Sequence, residues 1–340
     1  MLLNPLHIFV KKITNIFYFY LERMIWLFFI ALFLVLLIVV YNSVPWAERK
    51  ALFYPSKKHR WEPKSEYENV YIDVKNPNKV YHRRPNKKRC DEYIHGWFFN
   101  QFPGRTTVLY SHGNSGNLAD REYIINICKQ FEINLFLFDY RGFGKSSGEP
   151  CKRNLKKDGE VAYKYLTEYH NINSKDIIVW GESLGGYTAV WIASKYPCKS
   201  LILLSTFSGL DDAVNNYFES GLAKSIARGY TSLVSLRYDI MPSRHYIAKA
   251  KCPVAIIHST DDDVIPYKCA KINYDNVSHK SRLLIPIKGG HSSPDITVEN
   301  LIDLFTFCDI PLPSYSRVEI EEMLEDVRTV ASRHNNFINR

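Results

Sequence analysis

Apolar residues fall into two kinds of run along this chain. The first is a single long one: from Met24 to Ala47 (MIWLFFIALFLVLLIVVYNSVPWA) there is no charged residue. About 20 such residues at 1.5 Å rise cross the roughly 30 Å hydrocarbon core of a bilayer, so the stretch predicts one N-terminal transmembrane helix. Trp26, Tyr41 and Trp46 stand near its ends, where amphipathic rings favour the membrane interface. A cleaved signal peptide fits less well, because the run is too long, starts too far into the chain and is followed by no small-x-small cleavage pattern.

The second kind is short and recurrent. Strands are predicted over 69–74, 93–99, 107–111, 135–139, 177–181, 201–205, 254–258 and 283–287. Helical patterns lie between them, notably over 155–169, 184–195 and 296–307. The runs VLYS, LFLFD, IIVWG, LILLS and VAIIH are apolar throughout, as strands buried on both faces are. This alternation predicts an α/β class with a mostly parallel eight-stranded sheet flanked by helices. The 206–251 connection is long enough to hold a helical insert or cap, with Phe207, Leu210, Tyr217, Phe218, Leu222 and Ile226 as its apolar residues. Residues 317–330 (RVEIEEMLEDVRTV) read as an acidic amphipathic helix. The expected organisation is an N-terminal segment (1–23), an anchor (24–46), one α/β domain (47–312) and an acidic C-terminal helix (313–340).

Net charge is +9 over 340 residues, which by itself invites nucleic acid as a partner. Its distribution argues otherwise. Residues 1–105 hold 17 Lys+Arg and 8 Asp+Glu, and the remainder holds 27 of each. The excess flanks the apolar span, and no nucleic-acid recognition motif accompanies it. Residues 75–89 (KNPNKVYHRRPNKKR) could meet anionic headgroups on a cytoplasmic face; the plainer reading is a solvated loop between strands. Three basic residues precede the span and five follow it closely, so the positive-inside count leans toward a cytoplasmic domain. The seven cysteines are scattered with no C-x-x-C pair, and read as small buried hydrophobes rather than a zinc or disulfide framework. Nothing in the sequence reports oligomeric state.

Chemistry concentrates at four strand ends. Gly181-Glu182-Ser183-Leu184-Gly185-Gly186 follows the strand IIVW and opens a helix, the strand–turn–helix context of a nucleophile elbow. A serine needs a base to take its proton and a carboxylate to orient that base. Asp261, Asp262 and Asp263 follow the strand VAIIH, and His291 follows LLIPI on Lys288-Gly289-Gly290, giving the order Ser, acid, His. Two N–H donors for a developing oxyanion are expected at Leu184, next after the serine, and at Asn114 in the loop His112-Gly113-Asn114-Ser115-Gly116-Asn117. His112 and His258, each at a strand end, read as structural.

Five motifs in this order, HGNSGN, DYRGFGKSSGEP, GESLGGY, CPVAIIHSTDDDVIP and GGH, together resemble the α/β-hydrolase superfamily. More narrowly, residues 50–310 are similar to its membrane-anchored branch, which includes protein depalmitoylases and lysophospholipid or monoacylglycerol lipases. The resemblance implies the α/β-hydrolase fold and selects Asp262 as the acid, four residues after His258. It also implies a structural role for Asp139 and Arg141. Ser183, His291 and Asp262 would then cleave esters or thioesters of acyl substrates, lipid or protein-linked, through an acyl-enzyme, with no metal or organic cofactor. Related enzymes with an Asp nucleophile fit less well, since Ser183 holds that position. A non-catalytic scaffold on the same fold is the alternative, and the presence of all three residue types weighs against it.

Overall fold

The computed structural model describes residues 5–217, 225, 229 and 241–313. The chain divides into two compact units, Met1–Leu52 and Phe53–Arg340. In the first, helix α1 runs over Pro5–Leu52 without interruption, 48 residues or about 72 Å at the helical rise. Its segment Phe17–Val35 has a mean hydropathy of 1.8 with no residue buried. That segment is long and apolar enough to cross a membrane. It overlaps the expected 24–46 but begins earlier and ends at Val35, taking in the aromatic residues Phe17–Tyr20 together with the charged pair Glu22 and Arg23.

The second unit is built on a sheet. Its strands, in chain order, are β1 (Tyr54–Pro55), β2 (Glu68–Asp73), β3 (Val80–Tyr81), β4 (Tyr93–Phe99), β5 (Thr107–Ser111), β6 (Ser115–Gly116), β7 (Asn134–Asp139), β8 (Ile177–Glu182), β9 (Ser200–Leu204), β10 (Val254–Ser259), β11 (Arg282–Gly290) and β12 (Ser293–Asp295). All eight predicted strands are present. The short β3 and β12 extend the sheet to ten strands in the order β12-β11-β10-β9-β8-β5-β7-β4-β2-β3. From β7 to β11 pairing is parallel, whereas β2, β3, β4 and β12 pair antiparallel. β1 and β6 form a separate parallel pair.

Helices clothe both faces. They are α2 (Glu122–Gln130), α3 (Lys152–Lys164), α4 (Leu184–Lys195), α5 (Leu210–Tyr217), α6 (Ser243–Ile247), α7 (Lys268–Asn276) and α8 (Val298–Phe307) among the described residues. Alternate strand positions, among them Trp97, Tyr110, Leu137, Trp180, Ile202 and Ile257, share one core cluster with Ile124, Ile127, Leu301 and Phe305 of α2 and α8. Period-2 alternation therefore assigns one sheet face to those two helices. α3 and α4 pack together so closely that a Cβ on Gly159 would lie 2.4 Å from Thr188 Cγ2. Each large apolar side chain taken fully from water contributes about 1.5–3 kcal/mol, and Trp97, Trp180, Phe136, Phe138 and Phe305 are all so buried. The helix predicted over 155–169 is α3 continued by one wide π-helical turn, Tyr165–Tyr169. Of the predicted insert, α5 and α6 are described, and Arg244 grips Asp211 and Asp212 at 2.6 and 2.7 Å. Phe218, Leu222, Ile226 and the expected C-terminal helix lie outside the described residues. Five cysteines are buried and two partly so, all free.

The loop DYRGFG is fastened by a buried ion pair. Arg141 donates its Nε to Asp158 Oδ1 at 2.7 Å and its backbone N–H to Oδ2 at 2.8 Å, and reaches Glu92 at 2.9 Å. Burial still pushes the Asp158 carboxyl up to about 6 against the pull of that guanidinium. Removing one partner of a buried pair strands the other charge. Arg141→Ala should therefore lower stability by about 3–5 kcal/mol, measured by unfolding of the detergent-solubilised chain, with Arg141→Lys recovering part of the loss.

Candidate active site

The strand order reverses around β5, which sits between β8 and β7. Open α/β sheets place their crevice at such a point, beyond the carboxyl ends of the strands. The β5 end carries the His112–Asn117 loop and the β8 end carries Ser183.

Ser183 occupies φ 50°, ψ −116°, between the last residue of β8 and the first of α4. A non-glycine residue at positive φ is strained, and three contacts hold it. Its N–H donates to Leu204 O at 2.9 Å, while its carbonyl accepts from Gly186 N–H at 3.1 Å and Thr206 Oγ1 at 2.7 Å. The flanking glycines are required by space. A Cβ at Gly185 would sit 1.9 Å from Ser111 O, one at Gly186 2.0 Å from Thr206 Oγ1, and one at Gly181 2.5 Å from Gly185 O.

His291 follows β11 directly, and its Nε2 lies 3.0 Å from Ser183 Oγ. On the other side of the ring, Nδ1 lies 2.8 Å from Asp262 Oδ2. The second oxygen of Asp262 accepts from the backbone amides of Val264 at 3.0 Å and Ile265 at 2.7 Å. The three neighbouring carboxylates thus divide the work. Asp263 Oδ1 accepts the His291 backbone N–H at 3.1 Å, and Asp261 pairs with exposed Lys288 at 3.1 Å.

Burial works against ionisation of Asp262, but hydrogen bonds from His258 and His291 and the Ile265 amide outweigh it and hold the carboxyl below the usual carboxylate range. Burial also works against protonation of His291. The hydrogen bond and charge of Asp262, with Glu182 and Asp263 behind it, win and raise the imidazole above its ordinary value.

The other expected positions are close by. Leu184 is the first residue of α4, so its N–H has no acceptor within the helix. Gly113 backs onto the serine, with a Cβ there 3.6 Å from Ser183 Cβ, and the next residue, Asn114, has its carbonyl tied to Tyr54 N–H at 2.9 Å. His112 and His258 are buried at strand ends as expected; His258 Nε2 donates to Ile265 O at 2.8 Å and also lies 3.4 Å from Asp262 Oδ2.

One group was missed in the sequence. Glu182 Oε2 lies 2.5 Å from the Tyr110 hydroxyl and 2.7 Å from the Tyr123 hydroxyl and faces Arg121 Nε at 3.6 Å; the two hydroxyls also touch each other, so two protons are shared among three oxygens. The only local signal was an acid immediately before the elbow serine. Burial opposes its charge, and Arg121 with the two tyrosines overcomes that to keep Glu182 ionised.

Comparison with known proteins agrees with this architecture. A family profile described as the alpha/beta hydrolase fold matches residues 106–225. Protein bem46 of Schizosaccharomyces pombe is 30% identical over 224 residues, 64% of this chain and 71% of that protein. The chain belongs to the α/β-hydrolase fold family. Alpha/beta hydrolase domain-containing protein 17C of Xenopus tropicalis is 32% identical over 215 residues, 62% of this α/β-hydrolase and 64% of that protein's length. Among solved structures, the Pyrococcus furiosus esterase Pf2001 shares the fold, with a TM-score of 0.53, 18% identity, and coverage of 80% of this chain and 98% of the other.

The electrostatics make a direct prediction about the imidazole. Asp262→Asn removes its strongest charged partner, so the His291 pKa should fall, as read from an NMR titration of the ring protons. A His291 titration unchanged by that substitution would show that Asp262 does not set it.

Proposed function

We propose that this α/β-hydrolase is a membrane-anchored serine hydrolase cleaving ester or thioester bonds of acyl substrates. The observation that carries the reading is the continuous chain Ser183 Oγ, His291, Asp262 at 3.0 and 2.8 Å on a strained elbow. In this reading His291 Nε2 takes the hydroxyl proton as Oγ attacks the substrate carbonyl. Asp262 holds the tautomer with the proton on Nδ1 and stabilises the imidazolium. The N–H groups of Leu184 and Asn114 receive the oxyanion. Collapse expels the alcohol or thiol, which takes the proton from His291, and leaves the acyl group on Ser183. Water, deprotonated by the same ring, then releases the carboxylic acid.

Substrate class follows from location. The apolar segment Phe17–Val35 supports an anchor, and tethering beside a bilayer raises the local concentration of acyl chains. Lipid esters and S-acylated proteins both fit. The basic residues on either side of the span favour a cytoplasmic domain.

Ser183→Ala should abolish labelling by a fluorophosphonate probe and reduce p-nitrophenyl acyl ester hydrolysis by roughly 10³-fold or more. Wild-type activity in that variant would refute the reading. The base must be neutral to act, and its pKa is raised, so kcat/KM should climb as pH rises through a value above 6.5. Glu182→Gln removes one of the charges that raise it, and should move that acid limb to lower pH.

A further inference from the structure

Away from Ser183, three histidines converge on one buried carboxylate. Asp139 ends β7 and has no exposed surface. His59 Nε2 lies 3.7 Å and His95 Nδ1 3.5 Å from its Oδ2, and His112 Nε2 lies 3.5 Å from its Oδ1. The three rings expose at most 4% of their side-chain surface.

Hydrogen bonds on the far sides of two rings fix where their protons sit. His112 Nδ1 is 2.8 Å from the Gly113 carbonyl, which can only accept, so that nitrogen carries the proton. His95 Nε2 is 2.8 Å from Asn69 Oδ1, again an acceptor. Each neutral ring therefore turns a bare nitrogen lone pair toward Asp139. On the carboxylate, Oδ1 accepts the Leu118 N–H at 2.8 Å, while Oδ2, His95 Nδ1, His112 Nε2 and both His59 nitrogens have no hydrogen-bond partner. Buried lone pairs facing one another repel unless a positive centre lies between them.

We propose that His59 Nε2, His95 Nδ1 and Asp139 Oδ2 bind a divalent zinc ion in a structural site distinct from the Ser183 centre. The three donor atoms lie within 4.8 Å of one another. Tetrahedral zinc with bonds of about 2.0–2.2 Å sets donors about 3.3–3.6 Å apart, close to the 3.5 and 3.7 Å to Oδ2. Imidazole with one carboxylate and no thiolate is a donor set that zinc accepts, with water as a fourth ligand. The far-side hydrogen bond of His95 is the kind that orients metal-binding histidines. Gly144 at φ +43° keeps the space clear, since a Cβ there would lie 1.9 Å from Asp139 Oδ2 and 3.1 Å from His59 Nε2.

The ion takes no part in acyl transfer. It pins the segment bearing His59 to the sheet, and that segment also receives Asn117 Nδ2 at Ser56 O (3.2 Å) and Lys58 O (2.9 Å). Zinc thereby braces the loop that holds Gly113 against Ser183.

The test uses the full-length chain in detergent, stripped with a chelator and titrated with zinc chloride. One zinc per chain, a raised Tm with zinc and none with magnesium chloride, and visible bands of four-coordinate cobalt on substitution are expected. Ser183→Ala should bind zinc as wild type does, which separates this site from the hydrolase reading. His59→Ala, which alters a residue outside the sheet, should weaken zinc binding by about 100-fold or more. Equal zinc uptake by wild type and His59→Ala overturns the site. So does a folded wild type that takes up no zinc or gives no four-coordinate cobalt bands, and this arm stands even if the variant fails to fold.

Discussion

The approach of helix α4 to the backbone of β5 constrains everything around the candidate active site. The helix begins so close to Ser111 and His112 that only glycine fits at position 185, and so close to Thr206 that only glycine fits at 186. That approach forces the chain to turn within one residue, which is why Ser183 stands at positive φ. Strain of this kind amounts to about 1–3 kcal/mol. It is offset by the bonds to Leu204, Gly186 and Thr206 and by burial of most of α4. A looser crossing would relax the turn and withdraw the hydroxyl from His291.

Charge is arranged around that hydroxyl with two different degrees of restraint. Asp262 is anchored by two backbone amides, so it offers the imidazole one oxygen in one direction. Glu182 is shared among Arg121, Tyr110 and Tyr123, and its influence on His291 is through space. The first partner orients the ring, and the second raises the field in which it works.

Much of this was legible from residue pattern. Continuous apolar runs are unambiguous when a strand is buried on both faces, and β5, β7, β8, β9 and β10 have that character. The two-residue strands β1, β3 and β6 are too short to show any period. Ser183 and His291 stood out because glycines frame them. Among Asp261, Asp262 and Asp263, residue type could not choose; the turn that aims Asp262 Oδ1 at the Val264 and Ile265 amides makes the difference. The Glu182 network and the histidines around Asp139 are drawn from elements far apart in sequence, so no local spacing betrays them.

The hydrogen-bonded partners at the heart of the site are far apart in the chain. Ser183 and His291 are separated by 108 residues, and the bond between Asn117 and Ser56 spans 61. Contacts of such separation close large loops and form late in folding. At ribosomal rates, residue 291 emerges on the order of ten seconds or more after residue 54. Through that interval the nascent chain carries its N-terminal helix, and for part of it Ser183 without His291. The contact between Ser183 and His291 can close only once β11 has joined the sheet, so an incomplete chain holds the strained elbow with no imidazole beside it.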